Sequence, residues 1–317
     1  VQKIQLDFQH QYIPKTEDSS VCAIGFFDGI HQGHQKVIQT AKQLAEQSNQ
    51  KLAVMSFTPH PSAILKKDKA RITYLTPLEQ KEAILAELGV DILYLVHFDL
   101  NLAKLAPQAF INHFIVDLNI NHLVCGFDFT YGHMGKGNIN TLDQHARGHF
   151  QVTIVEKHTV NQEKVSSTRI RHLLAEGKVD IAKQLLTRPL TTKGSVISGY
   201  KRGRLIGFPT ANLKIDPSQA LPRTGVYYVT VQAKNQCLHG MANLGYNPTF
   251  VSDEADNDVK LEVHILDFDG DLYDETISIH WQNFIRPEYK FDSVDTLIER
   301  IKQDEVEIRQ LFSRNTN

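Results

Sequence analysis

The sequence predicts two domains of different build: an α/β unit with a parallel sheet over residues 1–186, then an antiparallel β-barrel over 187–317 with a C-terminal helix packed on it. Three observations carry this. The 317 residues suffice for two separate cores. Up to about residue 158, short apolar runs alternate with amphipathic helical patterns, the arrangement of parallel strands joined by helical crossovers. From Gly194 to Gln282, strand-like runs follow one another through Gly, Asn and Asp-Gly turns with no long helical period between them.

In chain order, the opening Val1–Leu6 alternates like a strand, and Val21–Phe26, Leu52–Phe57, Ile92–Val96, His122–Cys125 and Val152–Val155 are runs rich in Val, Ile and Leu, as expected of strands buried on both faces. Between the first two of these runs Val37, Ile38, Ala41, Leu44 and Ala45 recur at helical spacing, and later gaps hold helical patterns at Leu78–Leu88 and Pro107–Leu118, the latter starting on proline. This half therefore reads as Rossmann-like. Two short helical patterns share Ser167–Leu186 around Glu176-Gly177-Lys178, and Thr187-Arg188-Pro189 ends them. Val226–Ala233, Leu238–Leu244, Val259–Phe268 and Thr276–Trp281 are the barrel strands. A last helix, Ser293–Phe312, places Val294, Leu297, Ile298, Ile301, Ile308 and Leu311 on one side behind a Ser cap.

Composition narrows the function. With 34 Lys+Arg against 36 Asp+Glu there is no basic excess to neutralise a phosphate backbone, so small ligands are expected and nucleic acid is not. Cys22, Cys125 and Cys237 are too far apart for a CxxC pair, which fits a reducing, cytoplasmic compartment. Ile92–Phe98, the longest apolar stretch, falls short of a membrane span, and the N-terminus lacks the apolar core of a signal peptide. The His145/His149 pair has no neighbouring Glu, and Gln, Arg and Gly around it suggest a solvated helix end, not a zinc site. The oligomeric state stays open.

The first strand is followed by Gly25-Phe26-Phe27-Asp28-Gly29-Ile30-His31-Gln32-Gly33-His34, and then a helix begins. A helix N-terminus offers unpaired N–H groups and a partial positive charge, glycines admit phosphate close to the backbone, and two histidines three apart can donate to one triphosphate. Neither GxxxxGK[ST] nor GxGxxG is present. Three further segments follow strands of the same half: Ser56-Phe57-Thr58-Pro59-His60-Pro61, Gly126-Phe127-Asp128-Phe129-Thr130-Tyr131-Gly132 and Val165-Ser166-Ser167-Thr168-Arg169-Ile170-Arg171. Taken singly, each is an ordinary turn. All four lie beyond strand C-terminal ends, where open α/β sheets bind ligands.

These motifs resemble those of the HxGH nucleotidyltransferase superfamily and, within it, the FMN adenylyltransferase (FAD synthetase) half of bacterial bifunctional enzymes of flavin-cofactor synthesis. The resemblance implies that His31 and His34 contact the ATP phosphates, that Ser167, Thr168 and Arg169 close over them, and that Asp128 and Phe129 line the flavin pocket. It also implies contacts from Gly25, Phe27, Asp28 and Gly33 in the first loop and from Thr58 and His60 in the second. An FMN phosphate is already ionised, so its attack on the α-phosphorus of ATP needs alignment and charge stabilisation but no general base.

The second half carries Gly199-Tyr200-Lys201-Arg202-Gly203-Arg204-Leu205-Ile206-Gly207-Phe208-Pro209-Thr210-Ala211-Asn212-Leu213. It reads as a glycine-rich flap with basic residues for phosphates, with Thr210 and Asn212 as oxygen ligands for a hard cation; a barrel corner with a basic surface cluster is the plainer alternative. Further on come Asn243-Leu244-Gly245-Tyr246-Asn247-Pro248-Thr249-Phe250, then Leu261-Glu262-Val263-His264-Ile265, in which Glu262 and His264 share the face opposite the apolar residues. A kinase acting on an alcohol has use for such a carboxylate, because the hydroxyl must lose its proton.

These stretches, with Phe284-Ile285-Arg286-Pro287-Glu288, resemble the riboflavin kinase family. The resemblance implies that Thr210 and Asn212 hold Mg²⁺ and ATP phosphates, that Glu262 is the general base, and that the Gly199–Arg204 loop covers the nucleotide. It further implies that Gly203, Arg204, Gly207, Pro209 and Asn243 contact the nucleotide or flavin and that the Arg286 segment lies near the flavin. Tyr246, Phe250 and Trp281 are candidates to stack on the ring, whereas Phe26, Phe57, Phe110, Phe114, Tyr227 and Tyr228 read as core. The expected function is ATP-dependent phosphorylation of riboflavin to FMN in the second domain and adenylylation of FMN to FAD plus pyrophosphate in the first. A kinase with a non-catalytic nucleotide-binding first domain is the alternative enzyme. A flavin-sensing or RNA-contacting regulator is the non-enzyme reading, disfavoured by the neutral charge balance.

Overall fold

The structure is a computed structural model describing residues 1–8, 18–65, 72–199, 202–246 and 259–315. It forms two compact units, Val1–Ser167 and Thr168–Asn317.

The first unit runs β1 (Gln2–Leu6), β2 (Ser20–Ile24), α1 (Gln32–Ser48), β3 (Lys51–Thr58), α2 (Pro61–Leu65), α3 (Leu78–Glu87), β4 (Ile92–His97), α4 (Leu100–Ala103), α5 (Pro107–Ile111), β5 (Ile120–Gly126), β6 (Thr130–Tyr131), β7 (Gly137–Asn138), α6 (Leu142–Ala146), β8 (Gln151–Val155) and the hairpin β9 (Thr159–Val160) and β10 (Glu163–Lys164). Six strands form one parallel sheet in the order β1-β4-β3-β2-β5-β8. Alternate residues of β2 enter opposite cores, Cys22 and Ile24 on one face and Val21 and Ala23 on the other. This is why the strands read as unbroken apolar runs. From β2 the chain goes one way to β3 and β4 and the other way to β5 and β8, so the order reverses between β2 and β5. Such a switch point opens a crevice beyond the strand ends.

Local chemistry sets the details. α1 is capped by the His31 side chain, buries Val37, Ile38, Ala41 and Ala45, and ends on Asn49 in the left-handed conformation. Pro107 starts α5 as expected, but the helix continues over residues 112–116 as a π-helix, with the Asp117 N–H bonded to the Asn112 carbonyl. Two features escape the sequence reading: the β9–β10 hairpin, and Tyr131, which is buried and hydrogen-bonded to His145 Nδ1 at 2.6 Å.

The second unit runs α7 (Ser167–Ala175, beginning on the last residue of the first unit), α8 (Val179–Leu186), β11 (Thr191–Ile197), α9 (Arg202–Leu205), β12 (Ala211–Ile215), β13 (Gly225–Ala233), β14 (Gln236–Tyr246), β15 (Val259–Ile265), β16 (Thr276–Arg286) and α10 (Val294–Asn315). The strands close a barrel in the order β11-β12-β15-β14-β13-β16, every pairing antiparallel. Val226, Tyr228 and Met241 face outward onto Ile301, Ile308 and Leu311 of α10, and alternation turns Tyr227 and Val229 inward. Ser293 caps α10 through its Oγ, which accepts from Thr296 N–H at 3.2 Å.

The boundary falls before the expected one at 186/187, because α7 and α8 pack with the barrel. The Arg223 N–H donates to Leu174 carbonyl at 2.9 Å, Lys183 Nζ to Gln282 Oε1 at 2.8 Å, and a side chain on Gly177 would meet Arg223. Trp281 is also not where stacking on a flavin requires it. It is 0% exposed inside the barrel, with Nε1 donating to Thr192 Oγ1 at 2.9 Å. Phe250 and the side chain of Tyr246 lie outside the described residues.

Candidate active sites

In the first unit the loops after β2, β3 and β5 and the segment ending at Ser167 come together at the switch point. The chain leaving β2 passes through left-handed conformations at Phe27 (φ 53°), Gly29 (φ 90°) and Ile30 (φ 40°) before α1 begins. Asp28 fixes this turn from two sides: its Oδ1 accepts from Thr76 N–H at 3.1 Å and its carbonyl from Ser167 Oγ at 2.8 Å. His60 lies edge-on to Phe26 with ring centroids 4.1 Å apart, joining the Thr58–His60 loop to the first. Asp128 Oδ2 pairs with Lys164 Nζ at 2.6 Å, tying the loop after β5 to the hairpin.

His31 and His34 stack with centroids 3.6 Å apart, and the His34 N–H donates to His31 Nδ1 at 3.3 Å. That acceptor role assigns the ring proton of neutral His31 to Nε2, where it is available to a ligand. A Cβ on Gly33 would stand 3.2 Å from His31 Cε1 and press on the ring. Burial, at 5% exposure, lowers the His31 pKa to about 4; the charges of Asp28 and Asp128 oppose that shift and Lys164 adds to it. The ring is therefore an uncharged donor at neutral pH.

Two assignments change, those of Phe27 and Phe26. Phe27 is 1% exposed, packed in the core and edge-on to His34, so it supports the turn and has no side-chain surface for a ligand. Phe129 stacks on buried Tyr131 with centroids 5.5 Å apart, leaving part of its ring toward the core. Phe26, read as core, is half-buried and belongs to the site. The sequence reading missed Lys81 of α3, whose Nζ donates to Phe26 carbonyl at 2.9 Å. Its signal was a charged residue on the stripe that also carries Leu85. Thr168 and Arg169 follow Ser167 in the first turn of α7.

In the second unit a cavity of about 470 Å³ lies between the outer wall of the barrel and α10. Gly203, Thr210, Asn243, Glu262 and Arg286 line it, with His264, Glu288, Tyr289 and Phe291. Strand register explains the polar row: Asn212 pairs with Glu262, Glu262 with Asn243, Asn243 with Val226 and Val226 with Arg286. Paired residues project from the same face, so residues scattered over about 75 positions come to one side of the barrel. Asn212 is on this row without being part of the cavity wall, and Gly199 packs against its side chain. His264 Nδ1 donates to Pro209 carbonyl at 2.7 Å, which holds the segment leading into Thr210.

Residues 203–208 of the Gly-rich segment are held by their own hydrogen bonds. Phe208 N–H donates to Gly203 carbonyl at 2.8 Å, a Cβ on Gly203 would collide with the Phe208 carbonyl oxygen, and Gly207 has φ 87°. Arg204 and Pro209 are exposed, and neither they nor Gly207 line the cavity. Tyr200, Lys201 and residues 247–250 lie outside the described residues. Arg286 lines the cavity, and its own hydrogen-bond partners are structural. It is 7% exposed, its Nε donates to Asp304 at 2.8 Å and its Nη1 to Pro287 carbonyl at 3.0 Å, so it anchors α10. Tyr289 and Phe291 flank its guanidinium at 5.3 and 5.7 Å and, with Phe208, are phenyl rings lining this cavity. Asp304, fully buried, also binds Arg300 at 3.0 Å. Asp304→Ala is expected to destabilise this unit by about 3–5 kcal/mol, because it strands a buried guanidinium; denaturant unfolding of the purified variant checks it.

Residues 13–169 match the FAD synthetase family model and residues 186–312 the riboflavin kinase model. The chain is 46% identical over 299 residues to the bifunctional riboflavin kinase/FMN adenylyltransferase of Listeria monocytogenes, covering 94% of each chain. It belongs to the bifunctional riboflavin kinase/FMN adenylyltransferase family. Within that family it is 44% identical to the Bacillus subtilis member, covering 98% of each, and 35% to the Escherichia coli member, covering 96% of each. A crystal structure described as a macrolide-efflux protein from Streptococcus pneumoniae superimposes with a TM-score of 0.87 at 35% identity, over 96% of this chain and 99% of that one. Among the described residues no helix is long and apolar enough to cross a membrane. The FAD synthetase match ends at the start of α7 and the riboflavin kinase match begins at the end of α8, so this helical pair lies between the two.

Proposed function

We propose that the chain makes FMN and then FAD, phosphorylating riboflavin with ATP in the barrel unit and adenylylating FMN with a second ATP in the parallel-sheet unit. The observation that carries this is the pair of separate sites: a neutral-histidine helix N-terminus in one unit and, in the other, a polar row with the Glu262 carboxylate beside a cavity.

In the kinase step the terminal ribityl hydroxyl attacks the γ-phosphorus of ATP, ADP leaves, and Glu262 accepts the hydroxyl proton. Its neighbours Asn212 and Asn243 are amides, which add hydrogen bonding without a competing charge. Thr210 and Asn212 are oxygen donors of the kind a hard cation takes, and the small Gly199 leaves room for the Asn212 side chain, so these residues fit Mg²⁺. Such an ion supplies charge neutralisation on the phosphates. The Gly199–Arg204 segment covers the nucleotide, with Gly203, Arg204, Gly207 and Pro209 closest to it. The flavin ring occupies the cavity flanked by Tyr289 and Phe291.

In the transferase step a phosphate oxygen of FMN attacks the α-phosphorus of the second ATP and pyrophosphate leaves, with no proton to remove. His31 Nε2–H, His34 and the first N–H groups of α1 donate to the phosphates, and Ser167, Thr168 and Arg169 close over them. Gly25, Asp28, Gly33, Thr58 and His60 shape the phosphate side, and Asp128 and Phe129 the flavin side. The reducing cytoplasm is the compartment proposed, since Cys22 and Cys125 are buried free thiols.

Incubating the purified chain with riboflavin, ATP and Mg²⁺, and in parallel with FMN in place of riboflavin, tests the reading by chromatography of the flavins. FMN followed by FAD is expected from riboflavin, and FAD directly from FMN. FMN without FAD would reduce the first unit to a nucleotide-binding module; no product would overturn the assignment.

A further inference from the structure

Below the glycine loop lies a charged group that phosphate binding does not itself use. Lys81 is 4% exposed and occupies, with Leu85, the core-facing stripe of α3, where helical spacing calls for an apolar residue. Its Nζ donates to the Phe26 carbonyl at 2.9 Å and to Ser56 Oγ at 3.2 Å, and stands 4.6 Å from the centroid of the Phe26 ring. Ser56 Oγ donates to the same carbonyl at 2.9 Å, so the three groups close a triangle between α3, β3 and the loop after β2. Removing an ammonium from water costs several kcal/mol, which a helix packed on a sheet does not require for its stability.

The carbonyl held in this way immediately precedes the left-handed turn. Phe27 and Ile30 are not glycines, and a left-handed conformation at such residues is unfavourable unless the surroundings impose it. Fixing the Phe26 carbonyl fixes the plane of the 26–27 peptide, and with it the direction in which the chain enters the turn. The turn in turn delivers His31 as the cap of α1.

We propose that Lys81 is a positioning residue of the adenylyl-transfer site, locking the turn that presents His31 and the first N–H groups of α1 to the ATP phosphates. The proposal rests on the reading that this loop binds ATP. Its charge state belongs to the argument: burial lowers the Lys81 pKa to about 8, against the opposing pull of Asp28. The other groups around it are Ser56 from β3, and His60 and Tyr74, whose rings pack on Phe26 at 4.1 and 6.3 Å. Raising the pH through about 8 therefore removes the ammonium and loosens the triangle.

The test measures FMN-to-FAD conversion by wild type, Lys81→Met and Ser56→Ala between about pH 6.5 and about pH 9.5, with riboflavin phosphorylation by the same preparations as the reference for ATP and metal. Lys81→Met is expected to lower kcat at least about tenfold with KM for FMN within about twofold, and to lack the fall in rate that wild type shows above about pH 8. Ser56→Ala, which keeps the lysine and removes one partner, should lose about threefold in kcat and retain the alkaline fall. Should Lys81→Met not fold, the alkaline fall of wild type and the loss in Ser56→Ala decide: both present supports the proposal, either one missing overturns it. A folded Lys81→Met with wild-type kcat, or with the same alkaline fall, also overturns it. A wild type that makes FMN but no FAD overturns the ATP-site reading and this proposal with it. A wild type that makes FAD, beside variants indistinguishable from it, overturns the positioning role alone.

Discussion

Glu262→Ala is expected to reduce riboflavin phosphorylation by about a hundred- to ten-thousand-fold while FMN still becomes FAD at the wild-type rate. The size follows from the chemistry. The attacking group is a neutral alcohol, which remains a poor nucleophile until its proton has somewhere to go, and Glu262 is the carboxylate on the polar row of the barrel, paired with Asn212 and Asn243 across adjacent strands. Glu262→Gln keeps the shape and loses the base, so it should be nearly as impaired with an almost unchanged KM for riboflavin. Asn212→Ala should also abolish FMN formation, but through phosphate and cation binding, so its defect should include a raised KM for ATP. Rates of FMN formation from riboflavin, and of FAD formation from supplied FMN, measured on the same preparations, check all three. A Glu262→Gln chain with normal kinase activity would remove Glu262 from the role of base.

The same strand shows what the sequence made legible and what it hid. Alternation of Leu261, Val263 and Ile265 with Glu262 and His264 was readable directly, because strand geometry puts successive residues on opposite faces. The partners of Glu262 across the sheet were not readable without a register, since Asn212 and Asn243 lie about 50 and about 20 residues away. In the first unit, the unbroken apolar runs identified the sheet strands, and glycine with histidine after β2 identified the loop. Local spacing could not show that Arg286 would be buried against Asp304 of α10, 18 residues on, or that Trp281 would fill the barrel. Each of those side chains is polar or amphipathic, and its direction is set by tertiary partners. Lys81 was hidden for the same reason: a lysine in a helix reads as solvated, and only the sheet beneath α3 reveals a carbonyl and a hydroxyl waiting for it.

Replacing both His31 and His34 by Ala is expected to lower FAD formation from FMN by about a thousandfold or more, with riboflavin phosphorylation intact, because each removes a preorganised donor to phosphate oxygens. His31 should also leave a signature in stability. Its folded pKa, about 4, lies below the ordinary value of 6.5, so between these two pH values the unfolded chain binds a proton that the folded chain refuses. The contribution of this buried neutral ring is thus complete above about pH 6.5 and is lost as the pH falls toward about 4, by up to about 3 kcal/mol in all. Denaturant unfolding of the wild-type chain at pH 7 and pH 5 should show the first unit weakening at the lower pH, and His31→Ala should weaken less over the same interval. ATP works in the opposite sense. A triphosphate at the mouth of α1 favours the protonated ring, so binding at pH 5 should draw in a proton, detectable as a dependence of the calorimetric binding heat on the ionisation enthalpy of the buffer. A binding heat independent of buffer at that pH would mean that the phosphates lie away from His31, and the adenylyl-transfer site would have to be rebuilt around the α7 segment instead.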